Sequence, residues 1–328
     1  MEVAVGRRGD VATQGTAVTT WTRPRALRPG DRVGVCAPAG AVDLERLDRG
    51  VQTLRGIGFE VVLGEAVRAR SRFTAGTIEE RLRDLQMLWA DDAVKGIVCA
   101  RGGAGAGSLL PRLDVEAMIA RPKVFMGYSD ITFLHSLLNS HGLVTFHGPM
   151  VAVGHDLADG RYEEPSLRAA LLGEGKPFAT GPDDILALRP GAAEGRLQGG
   201  CISILASAAG TPWAMRPDPE GTILFLEDQN EPPYRLDRAL MQLRASGAFA
   251  TARGIVFGDM QDCNPNHGAD HTLVDVLLDA LAGLDVPIAI GLSSGHTRNP
   301  NVTLPFGARA RLTCGDEARF EILEASVT

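Results

Sequence analysis

VFMGYSDITFLHSLL, residues 124–138, is the stretch whose reading decides the fold. An apolar run ends at Gly127-Tyr128-Ser129-Asp130, and a segment with helical spacing of its apolar residues begins at once. No loop separates the two. A strand that reverses directly into a helix holds its corner residue in a tight conformation and pushes that side chain outward. The amides that follow, including that of Asp130, point the same way, with the helix dipole behind them. Such a corner suits a nucleophile whose tetrahedral product carries an oxyanion. A serine that opens a helix is also an ordinary cap, and the second glycine of the G-x-S-x-G pattern is missing. The corner therefore needs partners elsewhere in the chain.

Working outward, the flanking sequence alternates strand and helix. DRVGVCAPAG (31–40) reads as a short apolar strand followed by a turn of small residues. Leu44 to Ile57 has helical spacing, stopped by Gly56 and Gly58, and FEVVL follows as a strand. IEERLRDLQMLWADD is an amphipathic helix with acids in its first turn. VKGIVCA is a buried strand ending in RGGAGAGS, after which a helix is expected near Leu109. This alternation predicts an α/β fold whose amino-terminal domain is built on a parallel sheet. From about Val151 to Pro190 glycine, proline and charge become frequent. Beyond that, GTILFLED, ARGIVFGDM and VPIAIGL alternate with YRLDRALMQLRASGAF and a helix at 272–283. VTLPFGARARLTC and ARFEILEA predict an antiparallel finish, so the carboxyl-terminal domain is mixed β/α. The expected divisions are an extension at 1–24, a first domain at 25–155, a connection at 156–190 and a second domain at 191–328.

Composition narrows the function. The chain has 328 residues, 45% hydrophobic and 22% charged, as an ordinary globular protein does. Its formal net charge of −7 and the lack of a basic stripe argue against nucleic acid as a partner. No segment approaches the ~18 consecutive apolar residues that a membrane span needs. Five scattered cysteines, Cys36, Cys99, Cys201, Cys263 and Cys314, fit reduced thiols in a cytoplasmic protein. Residues 1–24 lack the apolar core of a secretion signal and read as a poorly ordered extension, with Trp21 a candidate for docking.

In an open parallel sheet, ligands sit at the carboxyl ends of strands. Arg101-Gly102-Gly103, the Ser129 turn, Glu227-Asp228 and Gly295-His296 all lie there. His135 falls inside the helix after Ser129, whereas His296 sits in the turn SSGHTRNPN, which presents a side chain well. Glu227 ends an apolar strand and can orient His296, giving the roles of attack, orientation and proton transfer. Two rivals are weaker. RGGAGAGS resembles a dinucleotide-binding glycine run, but its glycines equally suit a loop whose amides approach an oxyanion. Asp262, Cys263, His267, Asp270 and His271 in DMQDCNPNHGADH could ligate a metal, but their spacing matches no familiar zinc pattern, and a solvated loop is expected. Trp213 and Tyr234 are expected to fill the core.

Taken together, these stretches resemble one family, the LD-carboxypeptidases of the serine peptidase class that also includes the microcin C immunity peptidases. The resemblance runs from about Leu27 to Ala325 and is carried by LRPGDRVGVCAPAG, ARGGAGAGSLLPRLD, MGYSDITFLH, FHGPM, LQGGCISILASAAGTPW, ILFLEDQNEPPYRLDRALMQL, GIVFGDM and GHTRNPNVTLPFGARARL. It implies Ser129 as nucleophile, Glu227 as acid and His296 as base, with an oxyanion hole from the Asp130 amide and that of Gly102 or Gly103. It also implies a junction between two domains as the site, often a homodimer, and no metal or organic cofactor. The implied reaction releases terminal D-alanine from murein tetrapeptide, a small peptide substrate, during cytoplasmic cell-wall recycling. The alternative is microcin-C-type detoxification by cleavage of an aminoacyl-nucleotide amide. A third reading is a non-enzymatic binding protein on the same scaffold. Arg101 is a candidate partner for a substrate carboxylate. Ala104 stands where the family commonly has an aromatic residue and Cys201 where asparagine is frequent, so both are expected to border the substrate.

Overall fold

The computed structural model describes residues 20–154 and 156–328. Of the expected extension, residues 1–19 lie outside the described residues, and the remainder is ordered. Trp21 packs on the first core, and its indole N–H donates to Asp218 Oδ2 at 2.8 Å. The Ala26 amide donates to the carbonyl of Thr328 at 2.9 Å, so the two ends of the described chain meet.

The first sheet begins as a run of parallel strands, β1 (Arg32–Cys36), β2 (Glu60–Leu63), β3 (Val94–Cys99), β4 (Val124–Gly127) and β5 (Thr145–His147). Helices α1 (Leu44–Ile57), α2 (Ile78–Ala90), α3 (Val115–Ala120) and α4 (Thr132–Asn139) connect them. Local chemistry sets their ends. Asp43 caps α1 by accepting from the amides of Glu45 and Arg46, and Gly58 closes it in the left-handed region at φ 113°. Thr77 and Glu80 form a capping box on α2. The helix expected near Leu109 is instead two 3₁₀ turns, Ala106–Ser108 and Leu110–Arg112, before α3. Gly105, at φ 124°, and Pro111 break the regular α geometry there.

The segment 156–190, expected as a connection, carries helix α5 (Glu164–Leu172) and strand β6 (Leu186–Arg189). Leu167, Ala170 and Leu171 of α5 join the first core. The second sheet contains β6, β7 (Gly191–Cys201), β8 (Thr222–Glu227), β9 (Ala252–Gly258) and β10 (Ile288–Leu292), with helices α6 (Ile202–Ala208), α7 (Pro233–Ala245) and α8 (Leu273–Ala280). β7 to β10 are parallel, while β6 pairs antiparallel with β10. β12 (Arg309–Cys314) and β13 (Ala318–Ile322) supply the antiparallel finish beyond β7.

Strand β11 (Leu304–Phe306) does not follow this plan. It leaves the second sheet and pairs antiparallel with β5, Leu304 opposite His147, so the first sheet runs β11-β5-β4-β3-β1-β2. The two sheets meet closely elsewhere too. Gly199 and Gly200 of β7 adopt φ 140° and 131°, and a Cβ on Gly200 would stand 2.6 Å from Thr132 Oγ1 at the start of α4. The Cys201 amide then donates to that hydroxyl at 3.1 Å.

Gly50 tests the packing of α1. Glycine within a helix ordinarily costs about 1 kcal/mol relative to alanine, yet a Cβ here would run into the carbonyl of Val151. Gly50→Ala is therefore expected to destabilise the fold by about 1–3 kcal/mol in urea unfolding, as overpacking does. A gain in stability would show that α1 does not seat on residue 151.

Candidate active site

Ser129 follows β4 after a single residue and sits at φ 64°, in the left-handed region that only a strained or specialised serine occupies. The first turn is 3₁₀, Ser129–Ile131, and α4 begins at Thr132, so the side chain is thrown out of the sheet plane and remains partly exposed. Tyr128, Asp130 and Ile131 around it are buried. Gly102, which follows β3, presses on this corner. A Cβ there would lie 2.6 Å from Ser129 Cβ, 2.9 Å from its Oγ and 3.2 Å from the Asp130 amide nitrogen. Only a backbone without a side chain fits that approach. The Asp130 carboxylate turns away and accepts from the Ala106 amide at 2.7 Å, which ties the glycine loop to the serine turn. Burial raises its pKa to about 6, against the hydrogen bond from Ala106.

Glu227 ends β8 with no solvent exposure. Its carboxyl lies between two glycines: a Cβ on Gly258 would stand 2.8 Å from Glu227 Cβ, and one on Gly295 2.9 Å from Glu227 Cδ. Oε2 accepts from the His296 amide at 3.1 Å and from His296 Nδ1 at 2.7 Å. Glu227 thus fixes both the backbone and the ring of His296. Burial works against charge on that ring, but the Glu227 carboxylate outweighs it, and the pKa of His296 is raised. The ring also meets Tyr128 edge-on at 5.1 Å.

The loop bearing His296 is pinned from both lobes. Asn301 Nδ2 donates to Asp156 Oδ1 at 2.8 Å and to the Gly295 carbonyl at 3.2 Å, while Asn301 Oδ1 accepts from the Gly295 amide at 3.0 Å. Asp156 is buried, also accepts from the Met150 amide at 3.0 Å and faces the Tyr128 phenol. Burial pushes the Asp156 carboxyl up to about 7 and holds the Tyr128 phenol well above its ordinary range.

Ser129 and His296 line one cavity of about 250 Å³, together with Arg101, Gly102, Gly103 and Tyr128. Gln229 and Gln261 complete its polar wall, and sequence reasoning missed both. The bridge between Gln229 and Gln261, flanked by Asn230, Met260 and Asp262 at positive φ, is a tertiary feature without a sequence signature. Arg101 anchors Nη1 on the Ala41 carbonyl at 3.0 Å. The expectation that Ala104 and Cys201 border the substrate does not match this lining. Ala104 is exposed outside the cavity, and Cys201 is buried because the preceding Gly-Gly turns it onto Thr132 and Ser203. Tyr234, expected in the core, is 59% exposed under Arg238. Trp213 is half-buried against the first lobe's second core cluster.

The residues of 262–271 disperse. Asp262 receives Arg298 on both oxygens at 2.9 Å, Cys263 is buried, and Asp270 pairs with His271 at 3.0 Å. Among the described residues no group of three or more His, Cys, Asp or Glu is placed to hold a metal. Nor is any helix among them long and apolar enough to cross a membrane.

A serine at a strained corner, a histidine lining the same cavity and a buried carboxylate bonded to that histidine are the groups that nucleophilic acyl transfer uses. Comparison with known proteins agrees. Residues 33–148 match the LD-carboxypeptidase N-terminal domain and residues 194–312 the LD-carboxypeptidase C-terminal domain, both of peptidase S66. A probable murein peptide carboxypeptidase of Bacillus subtilis is 37% identical over 93% of this chain and 95% of its own length. The crystal structure of muramoyltetrapeptide carboxypeptidase from Oxalobacter formigenes superposes with a TM-score of 0.79 at 30% identity, covering 90% of this chain and all of that one. The microcin C7 self-immunity protein MccF superposes with a TM-score of 0.82 at 25% identity, covering 94% of this chain and all of that one.

The raised pKa of His296 is open to a direct test that needs no substrate. Its ring is expected to titrate in NMR above the ordinary value of ~6.5, and Glu227→Gln should bring the transition down. A wild-type ring titrating below that value would contradict the pairing described.

Proposed function

Because this chain belongs to the LD-carboxypeptidase family, peptidase S66, we propose that it hydrolyses the L,D-peptide bond that releases terminal D-alanine from murein tetrapeptide. It is a hydrolase of the serine type. The observation that carries the reading is the buried Glu227–His296 pair, whose histidine lines the same cavity as the strained Ser129 corner.

In this mechanism the Ser129 hydroxyl attacks the carbonyl carbon of the scissile bond while Nε2 of His296 takes its proton. The Oε2–Nδ1 contact orients the ring and stabilises the imidazolium that forms. The oxyanion of the tetrahedral intermediate is received by the Asp130 amide and by an amide of the Gly102-Gly103 loop, which the close approach of Gly102 brings to the same corner. His296 then returns the proton to the departing amine, D-alanine leaves, and water repeats the sequence on the acyl-enzyme. Among the described residues that line the cavity, Arg101 is the one permanently cationic side chain and none is a carboxylate. A substrate whose scissile bond lies beside a free carboxylate suits that wall. Five buried, unpaired cysteines support a reducing, cytoplasmic setting for the reaction.

The closer likeness of the sequence to murein carboxypeptidases, 37% identity to the Bacillus subtilis relative against 30% to the microcin C7 self-immunity protein, favours a muropeptide over an aminoacyl-nucleotide amide. Purified enzyme is expected to release D-alanine from murein tetrapeptide, with loss of one residue by mass. Ser129→Ala should reduce this by more than about 10⁴-fold and Glu227→Gln by about 10³–10⁴-fold, mostly in kcat. Near wild-type turnover by the Ser129 variant would overturn the nucleophile. Preferential cleavage of a nucleotide-linked aspartyl amide by the unaltered enzyme would overturn the substrate.

A further inference from the structure

His147, the last residue of β5, lies behind the catalytic pair with no solvent exposure. Its ring is enclosed by Phe225 and Phe306, with centroids 5.1 and 5.2 Å away, and by Tyr128 at 5.8 Å. A Cβ on Gly295 would stand 2.8 Å from its Cε1. Nothing in the mechanism above uses this histidine. Yet its Nε2 points at the second oxygen of Glu227, Oε1, from 3.9 Å. Both atoms are buried, and among the described residues neither has a hydrogen-bond partner.

The other side of the ring explains why the contact stays open. Nδ1 lies 3.0 Å from Ser294 Oγ, and the Ser294 hydroxyl donates to the Val302 carbonyl at 2.8 Å. A hydroxyl has one hydrogen, and here the carbonyl receives it. Ser294 Oγ can therefore only accept from the ring, which puts the proton of a neutral imidazole on Nδ1 and leaves Nε2 as a bare lone pair. Burial keeps the ring neutral, with its pKa well below the ordinary value, and the neighbouring His135 and His296 push the same way. Among the described residues, Glu227 on β8, the Tyr128 phenol and the Ser294 hydroxyl lie against it. None of these donates to Nε2. A water bridging 3.9 Å through two ordinary bonds of ~2.8 Å would have to bend to about 90° inside this aromatic enclosure.

We propose that His147 is a positioning residue that presents an acceptor, not a donor, to Glu227 Oε1, so that the carboxylate charge is satisfied only through Oε2 by His296. A carboxylate with one oxygen unserved is a stronger acceptor at the other. The consequence is a more basic His296. Had a donor capped Oε1, part of that charge would be neutralised and the attraction for the imidazolium would weaken.

The inference rests on His296 being the base of the proposed reaction, and its first test is independent of any substrate. In the ¹⁵N spectrum of the intact enzyme, Nδ1 of His147 is expected to carry the proton and Nε2 to show the shift of an unprotonated nitrogen. A protonated Nε2 overturns the proposal outright. The second test uses two variants outside the catalytic set. His147→Gln places an amide donor near Oε1, and Ser294→Ala frees the ring to move its proton to Nε2. Both are expected to lower the His296 titration by about one pH unit and to shift the acid limb of kcat/KM down with it. They should lower kcat several-fold and leave KM unchanged. If His147 only fills space, the variants lose stability while the His296 titration stays where it is, which also overturns the proposal. Should the enzyme fail to cleave muropeptides at all, the NMR arms still decide the role of His147.

Discussion

The site depends on one crossing of the chain. After β10 the backbone leaves the second sheet, and by Leu304 it is paired with β5 of the first. The loop between, Ser293 to Thr303, carries His296, and its two ends belong to different sheets. Position therefore comes from the two anchored ends and not from the loop itself. Asn301 converts that position into geometry by holding the Gly295 peptide from both sides while donating to Asp156 in the other lobe. Glu227 finishes the arrangement by accepting from the amide and the ring of His296 with one oxygen. A histidine held by its backbone as well as its side chain has little freedom to leave the carboxylate that orients it.

Glycine is what lets these parts approach. Gly102 against Ser129, Gly258 and Gly295 around Glu227, and Gly200 against Thr132 are each sites where a methyl group would meet an atom at less than ordinary contact distance. Ser129 pays for its exposed position with a left-handed backbone that costs about 1–3 kcal/mol. The surrounding buried ring of Tyr128, Ile131 and His135 holds it there, with His135 Nε2 bonded to the Gly127 carbonyl at 2.8 Å. The charge pattern follows the same economy. Carboxylates that must be ionised or hydrogen-bonded are placed behind the cavity wall, and the wall itself offers Arg101 and two carboxamides to the solvent side.

Much of this was legible in the sequence because it is local. Helix α1 matches the spacing from Leu44 to Ile57, and the abrupt passage from Gly127 to Thr132 shows itself as a strand without a loop. The carboxyl-end positions of Ser129, Glu227 and His296 follow from strand periodicity alone. What escaped was nonlocal. β11 is three residues long with Pro305 at its centre, too short to signal which sheet it joins. Helix α5 hid in a stretch rich in proline and glycine because Pro165 occupies its first turn, where proline is well tolerated. Cys201 was expected to border the substrate because it stands where the resembled family frequently has asparagine, but the two glycines before it bring the strand onto α4 and bury it. The pairing of Gln229 with Gln261 depends on backbone strain that no residue type announces.

The crossing of β11 also orders events in time. The edge of the first sheet is supplied by residues 304–306, and Thr328 hydrogen-bonds to Pro24 and Ala26, about 300 residues away in the sequence. During synthesis Ser129 emerges well before residues 304–306, so the loop that carries His296 gains its second anchor only after β11 has been made. Such a long loop closure slows the final step, since the entropy of bringing distant segments together precedes any reward from their contact. A nascent chain that stops short of residue 304 therefore holds Ser129 and Glu227 without the doubly anchored loop that presents His296.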